Sequence, residues 1–183
     1  MKKVISFIAL VMFLSSGVFA QKYITKNGYI SFYSSTPVED IEAHNRQVNA
    51  ALDISTGDIV FKVLIKSFEF EKALMQEHFN ENYMESHKFP NAVFKGKVAN
   101  AAQISFDKDG EYAAEIEGEL TIHGVTNKVS EQGTFTVKDG QIWGMSAFKV
   151  LLEDYDIKVP KAVVNNIAES IEIKVDVKLQ PLK

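Results

Sequence analysis

"GEYAAEIEGELTI", residues 110–122, decides the architecture. Tyr112, Ala114, Ile116, Gly118, Leu120 and Ile122 fall on one face of an extended chain, and Glu111, Glu115, Glu117, Glu119 and Thr121 on the other. A period of two sustained this long is that of a half-buried antiparallel strand, one face toward a core and one toward water. The stretch 171–179 repeats it: Ile171, Ile173, Val175, Val177 and Leu179 alternate with Glu172, Lys174, Asp176 and Lys178. Residues 28–33, 47–53, 58–68, 92–105, 128–137 and 141–153 also read as strands. Turn chemistry separates several of them, at Ser55-Thr56-Gly57-Asp58, Asp107-Lys108-Asp109-Gly110 and Lys138-Asp139-Gly140. About eight strands on short connections make a sandwich or a barrel. No linker, repeat or low-complexity tract divides the chain, so one domain is expected.

Two short stretches carry helical spacing instead. Residues 38–45, after Thr36-Pro37, suit one or two turns. In the segment leading into "QEHFNENYMESHKFPNAVFKGKV" (residues 76–98), Phe70, Leu74, Met75, His78 and Phe79 form an apolar stripe opposite Gln76, Glu77 and Asn80. That is an amphipathic helix of two to three turns. Phe89-Pro90 is read as its stop, because the residue before proline avoids the helical region.

The first twenty residues have another purpose. Lys2 and Lys3 precede an apolar run, 4–14, and Val18-Phe19-Ala20 supplies a small residue at a cleavage position. Residues 1–20 therefore read as a signal peptide, leaving a domain of residues 21–183. The apolar run is shorter than the ~20 residues a membrane helix needs, and no second candidate follows. The expected product is periplasmic or secreted, without a transmembrane anchor after cleavage. Removing twenty of the 183 residues leaves 163, enough for a core without disulfides. The absence of cysteine excludes disulfide scaffolds, thiol catalysis and thiolate metal sites. Loss of Lys2 and Lys3 moves the formal charge from -4 to -6. Together with a single arginine, Arg46, that argues against nucleic acid as a partner.

Single motifs give no catalytic or metal assignment. His78 and His87 are nine apart and would face opposite ways on one helix, whereas a helical metal pair sits about four apart. Gly144-Met145-Ser146-Ala147-Phe148 lacks the second glycine of a serine elbow and reads as mid-strand. His123-Gly124 reads as turn chemistry at a strand end. No cofactor is indicated. Small residues recur on the apolar register at Ala114, Gly118, Gly133, Gly144 and Ser146. They either leave room inside a barrel or mark places where a sheet bends, and both can hold together.

Three motifs carry a family likeness. Glu77-His78-Phe79 with Tyr83, Lys88-Phe89-Pro90 and Val93-Phe94 resembles the first signature of the YceI-like family. The run 118–126, with His123-Gly124-Val125-Thr126, resembles the second, and Phe148-Lys149-Val150 through Tyr155-Asp156-Ile157 the third. The likeness runs from Ile54 to Leu179. It departs where Leu151-Leu152-Glu153 replaces a segment that usually holds an arginine, and where Glu39-Asp40-Ile41-Glu42 modifies the first hairpin. The resemblance implies a lipocalin-like antiparallel barrel with a long apolar cavity, and binding of isoprenoid or other long-chain amphiphiles in the periplasm.

The expected fold is thus all-β: one antiparallel lipocalin-like barrel of about eight strands with one or two short helices. The expected function is non-covalent binding of a polyisoprenoid or other long-chain lipid. Burial drives it, at ~0.8 kcal/mol per methylene. The expected cavity and lid residues are Phe61, Val63, Ile65, Phe70, Leu74, Met75, Phe79, Phe94, Ala114, Ile116, Gly118, Leu120, Ile142, Gly144, Phe148, Val150, Ile173 and Val175. A ligand-free structural or stress-related envelope protein, its barrel filled by Phe and Ile, is the alternative. An enzyme ranks below both, since no nucleophile, base and orienting group occur together. The sequence allows a homodimer and does not require one.

Overall fold

The computed structural model describes residues 22–182; the signal-peptide expectation over 1–20 lies outside them. The strands are β1 (Lys22–Ser35), β2 (Asp40–Asp53), β3 (Asp58–Leu64), β4 (Glu69–Phe70), β5 (Asn91–Val98), β6 (Gly110–Ile122), β7 (Val125–Lys138), β8 (Gln141–Leu151) and β9 (Ser170–Pro181), with one helix, α1 (Ala73–His78). Neighbours run β1-β9-β8-β7-β6-β5-β3-β2, and β1 also pairs with β2, so eight antiparallel strands close a barrel. The two-residue β4 adds to β2 at Ala43 and His44.

Local chemistry sets the closure. His123-Gly124 and Asp139-Gly140 all have positive φ (50°, 79°, 51° and 71°). They join β6 to β7 and β7 to β8 as two-residue hairpins, whose twist requires such angles. Around Gly28 the β1–β2 register shifts twice, and such bulges bend strands. Asn45 is fully buried there. Its amide donates to the Leu64 carbonyl at 2.9 Å and accepts from the Gln47 N–H at 2.9 Å, which meets the buried-polar requirement.

Residues 38–45 are not helical. From Asp40 onward they belong to β2, which pairs Ile41 with Ser34 and Ala43 with Phe32. Thr36 has the look of a helix cap. Its hydroxyl instead closes a turn, accepting from the Val38 and Glu39 N–H groups and donating to the Glu39 carbonyl. The unpaired edge of β1 outweighs a weak local helical preference. Three strands are shorter than expected: β3 ends at Leu64, β5 at Val98 and β8 at Leu151. The helix is shorter too. A π turn, Phe79–Tyr83, follows α1, and Glu85 at φ 41° takes the chain out of helical geometry before Phe89-Pro90 is reached.

Two apolar layers fill the barrel. Near the β7–β8 turn, Tyr23, Leu52, Ile59, Phe135, Val137, Ile142 and Leu179 pack as a closed core. Toward the other end Ile30, Val63, Ile65, Phe68, Met84, Leu120, Ile122 and Tyr155 form a second cluster. Between them the inward residues Phe94, Ile116 and Val175 are only partly buried, because they border open space.

Candidate ligand cavity

That space is an apolar cavity of about 360 Å³, within the range of small-molecule sites. Of the residues expected on its wall, Phe61, Val63, Ile65, Phe70, Met75, Phe79, Phe94, Ile116, Leu120, Gly144, Phe148, Val150, Ile173 and Val175 line it. Four do not. Leu74 points to solvent and is 61% exposed; the stripe assumed a longer regular helix than the six residues of α1. Ala114 and Ile142 are completely buried in the closed core, one layer too deep. Gly118 faces Gly96 across the β5–β6 pair. A Cβ on Gly118 would stand 2.4 Å from the Lys95 carbonyl oxygen and 2.8 Å from Phe94 Cζ, and one on Gly96 only 2.5 Å from the same Cζ. The glycine pair makes room for the Phe94 ring, so the expectation that Ala114 and Gly118 leave volume for a ligand is corrected. Gly144 and Ser146 do border the cavity.

An aromatic cluster roofs it. Phe79, at the end of α1, stacks on Phe32 with centroids 5.4 Å apart and lies 5.6 Å from Phe68 and 5.0 Å from Phe70. Tilted and edge-on pairs at these distances are favourable. Phe32, Ile30 and Phe68 were not among the expected wall residues. Phe32 and Ile30 carry the period-two signal of β1, and Phe68 follows the Ile65–Ser67 turn that breaks the expected strand.

Glu39 fastens the rim. Its Oε1 accepts from Lys72 Nζ at 3.2 Å and its Oε2 from Asn166 Nδ2 at 3.2 Å. One carboxylate thereby joins the β1–β2 turn, the residue before α1 and the 152–169 segment. The Ala168 N–H donates to Ser34 Oγ at 2.9 Å alongside. The Asn166 and Lys72 hydrogen bonds hold the Glu39 carboxyl below the usual carboxylate range. The acidic insert of the first hairpin therefore acts at the rim.

The three sequence motifs meet at the β6–β7 turn. His123 Nε2 is 3.2 Å from Glu85 Oε2 and its Nδ1 is 3.1 Å from the Tyr155 carbonyl oxygen. Phe89 meets the His123 ring edge-on at 4.6 Å, and a Cβ on Gly124 would stand 2.5 Å from Phe89 Cε1. Lys88 pairs with Glu85. The contacts join the α1–β5 connection, the β6–β7 hairpin and the Glu153–Tyr155 turn in one knot.

The hydrogen bond from Lys88, and then that from His123, lower the Glu85 pKa. A lowered carboxyl pKa contributes stability that is present above its unfolded value and lost as pH falls through the folded one. The melting temperature of the wild type should therefore fall more steeply than that of Glu85→Gln as pH drops below about 4.3, the ordinary glutamate value. Thermal melts from neutral to strongly acidic pH compare the two. Parallel curves would remove Glu85 from the knot.

Among the described residues no three His, Asp or Glu side chains are placed to hold a metal ion. Ser146 lies inside β8, and its hydroxyl donates to the Gln132 carbonyl at 2.6 Å. No helix of the described residues is long and apolar enough to cross a membrane.

The barrel superposes on a polyisoprenoid binding domain from Saccharophagus degradans implicated in plant cell wall breakdown, with a TM-score of 0.78 at 12% identity over 89% of this chain and 99% of that one. BcnA of Burkholderia cenocepacia gives a TM-score of 0.68 at 14% identity, covering 83% and 95%. These identities speak for the fold alone. A UPF0312 protein of Pseudomonas putida strain W619 is 30% identical over 99 residues, 51% of this chain and 48% of that protein. The chain thus matches about half the length of such curated relatives. The sequence model of the YceI-like domain matches residues 24–179, which takes in the first hairpin as well as the three motifs. The chain belongs to the YceI-like domain family.

Proposed function

We propose that this protein binds a polyisoprenoid or similar long-chain amphiphile in its barrel and sequesters or carries it outside the cytoplasm. The observation that supports this most is the cavity, walled by aliphatic and aromatic side chains and roofed by the Phe32–Phe68–Phe70–Phe79 cluster. An apolar tail needs no specific polar contact there, since each methylene withdrawn from water contributes ~0.8 kcal/mol. The Saccharophagus domain of the same fold is described as binding polyisoprenoids, which favours this class of tail. The charged, apolar and small-residue order of residues 1–20 favours export.

Native mass spectrometry of the protein isolated from its own host tests the binding, and N-terminal analysis of the same sample tests the export. The expected result is a chain beginning at Gln21 that carries a co-purified lipid adduct. Delipidated protein should also take up geranylgeraniol. Protein that arrives without adduct and takes up no probe would leave the ligand-free envelope role as the better reading.

A further inference from the structure

β7 and β8 do not pair along their whole length. Their ladder runs from Lys138↔Gln141 to Gly133↔Ser146 and stops, although β7 begins at Val125 and β8 continues to Leu151. Past Ser146 the strands part, and the Glu153–Tyr155 turn is tied to β7 there: Asn127 Nδ2 donates to the Asp154 carbonyl at 2.6 Å. Glu131 stands at the fork. It shares the inward register of Val129 and Phe135, and all three border the cavity.

Glu131 is the anomaly of this wall. Its cross-strand neighbour is Ile116, and Phe148 and Val150 line the cavity from β8. The carboxylate has no hydrogen-bond or ion-pair partner among the described residues, and burial alone raises its pKa. Tyr155, whose phenol is raised by burial first and then by the charges of Asp154 and Glu131, lies near it. Among the described residues no Lys or Arg borders the cavity; its one basic side chain there is His78, on α1. Lys72, beside the rim, is engaged by Glu39. An inward carboxylate on a largely apolar wall gains from a donor that enters the cavity, and no side chain or backbone group among the described residues supplies one.

We propose that Glu131 receives the polar end of the bound amphiphile, and that this end is an uncharged or cationic hydrogen-bond donor, a hydroxyl or an amine. Carboxylate and phosphate heads are excluded by like charge. The polar end then sits at the β7–β8 fork, and the tail runs along the aliphatic wall toward the Phe32–Phe68–Phe70–Phe79 roof. This assignment rests on the lipid-binding reading and specifies its ligand class.

The test uses three probes that share one geranylgeranyl tail: the alcohol, the amine and the carboxylic acid. Each is titrated at about pH 8, where an ordinary carboxyl is ionised, into delipidated wild type, Glu131→Gln and Glu131→Leu. The wild type should bind the alcohol and the amine at least roughly tenfold more tightly than the acid. Glu131→Gln, close in size and uncharged, should strengthen binding of the acid and weaken that of the amine. Glu131→Leu should weaken the alcohol. An acid-to-alcohol ratio that is flat in the wild type and unchanged in Glu131→Gln overturns the assignment while leaving lipid binding intact. If no probe binds the wild type, the lipid-binding reading falls and this inference with it. Should either variant fail to fold, the wild-type ratio decides.

Discussion

Leu52→Ala should cost about 2–5 kcal/mol of stability, and Met75→Ala well under half of that. Leu52 is completely buried in the closed core with Ile59, Phe135, Ile142 and Leu179. Truncation there removes contacts on every side, and a barrel end sewn by backbone ladders cannot collapse onto the gap. At ~2–4 °C per kcal/mol for a chain of this size, the melting temperature should drop by roughly 5–20 °C. Met75 stands on α1 with the cavity on one side, so its side chain already lacks partners in that direction. Melts of delipidated protein give the comparison. Equal losses would mean that the roof is part of a filled core, and the lid reading would go.

The contrast between those residues shows what a sequence can and cannot tell. Parity fixes the face a side chain takes, so Ile116, Leu120, Ile173 and Val175 could be placed inward from alternation alone. It does not fix depth along the barrel. Ala114 and Ile116 share a face, as do Ile142 and Gly144, but only the second of each pair reaches the cavity. Depth depends on register between strands, and that is set by bulges such as those at Gly28 and by turns of two residues.

The β1–β2 hairpin was legible only in part, for a related reason. Asn45 occupies an inward position of β2, where a polar residue breaks the period-two pattern. Its burial is tolerable only because the neighbouring Gln47 N–H and the distant Leu64 carbonyl complete its hydrogen bonds. Glu131 escaped notice for the opposite reason. Val129, Glu131, Gly133 and Phe135 alternate cleanly, and parity alone turns Glu131 inward; a glutamate on a strand is habitually read as solvent-facing. Leu74 failed because the helical wheel took Phe70 as part of the helix, whereas Phe70 lies in β4 and the regular turns run only from Ala73 to His78.

Val175→Trp should abolish ligand binding, lowering affinity for geranylgeraniol by at least roughly a hundredfold, while leaving the melting temperature unchanged or higher. Val175 lies on β9 between Ile30 of β1 and Ser146 of β8 and packs against both apolar clusters. An indole at that position projects into the middle of the cavity. Filling a dry void gains contacts that the wild-type wall lacks, so stability need not suffer. The burial that drives tail binding is lost to the same extent, because indole and tail compete for one volume. A control separates volume from general disturbance. Ala114→Leu adds bulk on an inward face one layer deeper, where there is no space, and should cost about 1–3 kcal/mol through overpacking. It should leave binding by the surviving folded protein largely intact. The two substitutions therefore move stability and binding in opposite senses, and calorimetric melts beside a lipid titration read both. If Val175→Trp destabilised the barrel as Ala114→Leu does, the space beside Val175 would not be available to any occupant. If it folded well and still bound the probe with wild-type affinity, the ligand would have to sit elsewhere, and the fork at Glu131 would lose its role along with the cavity.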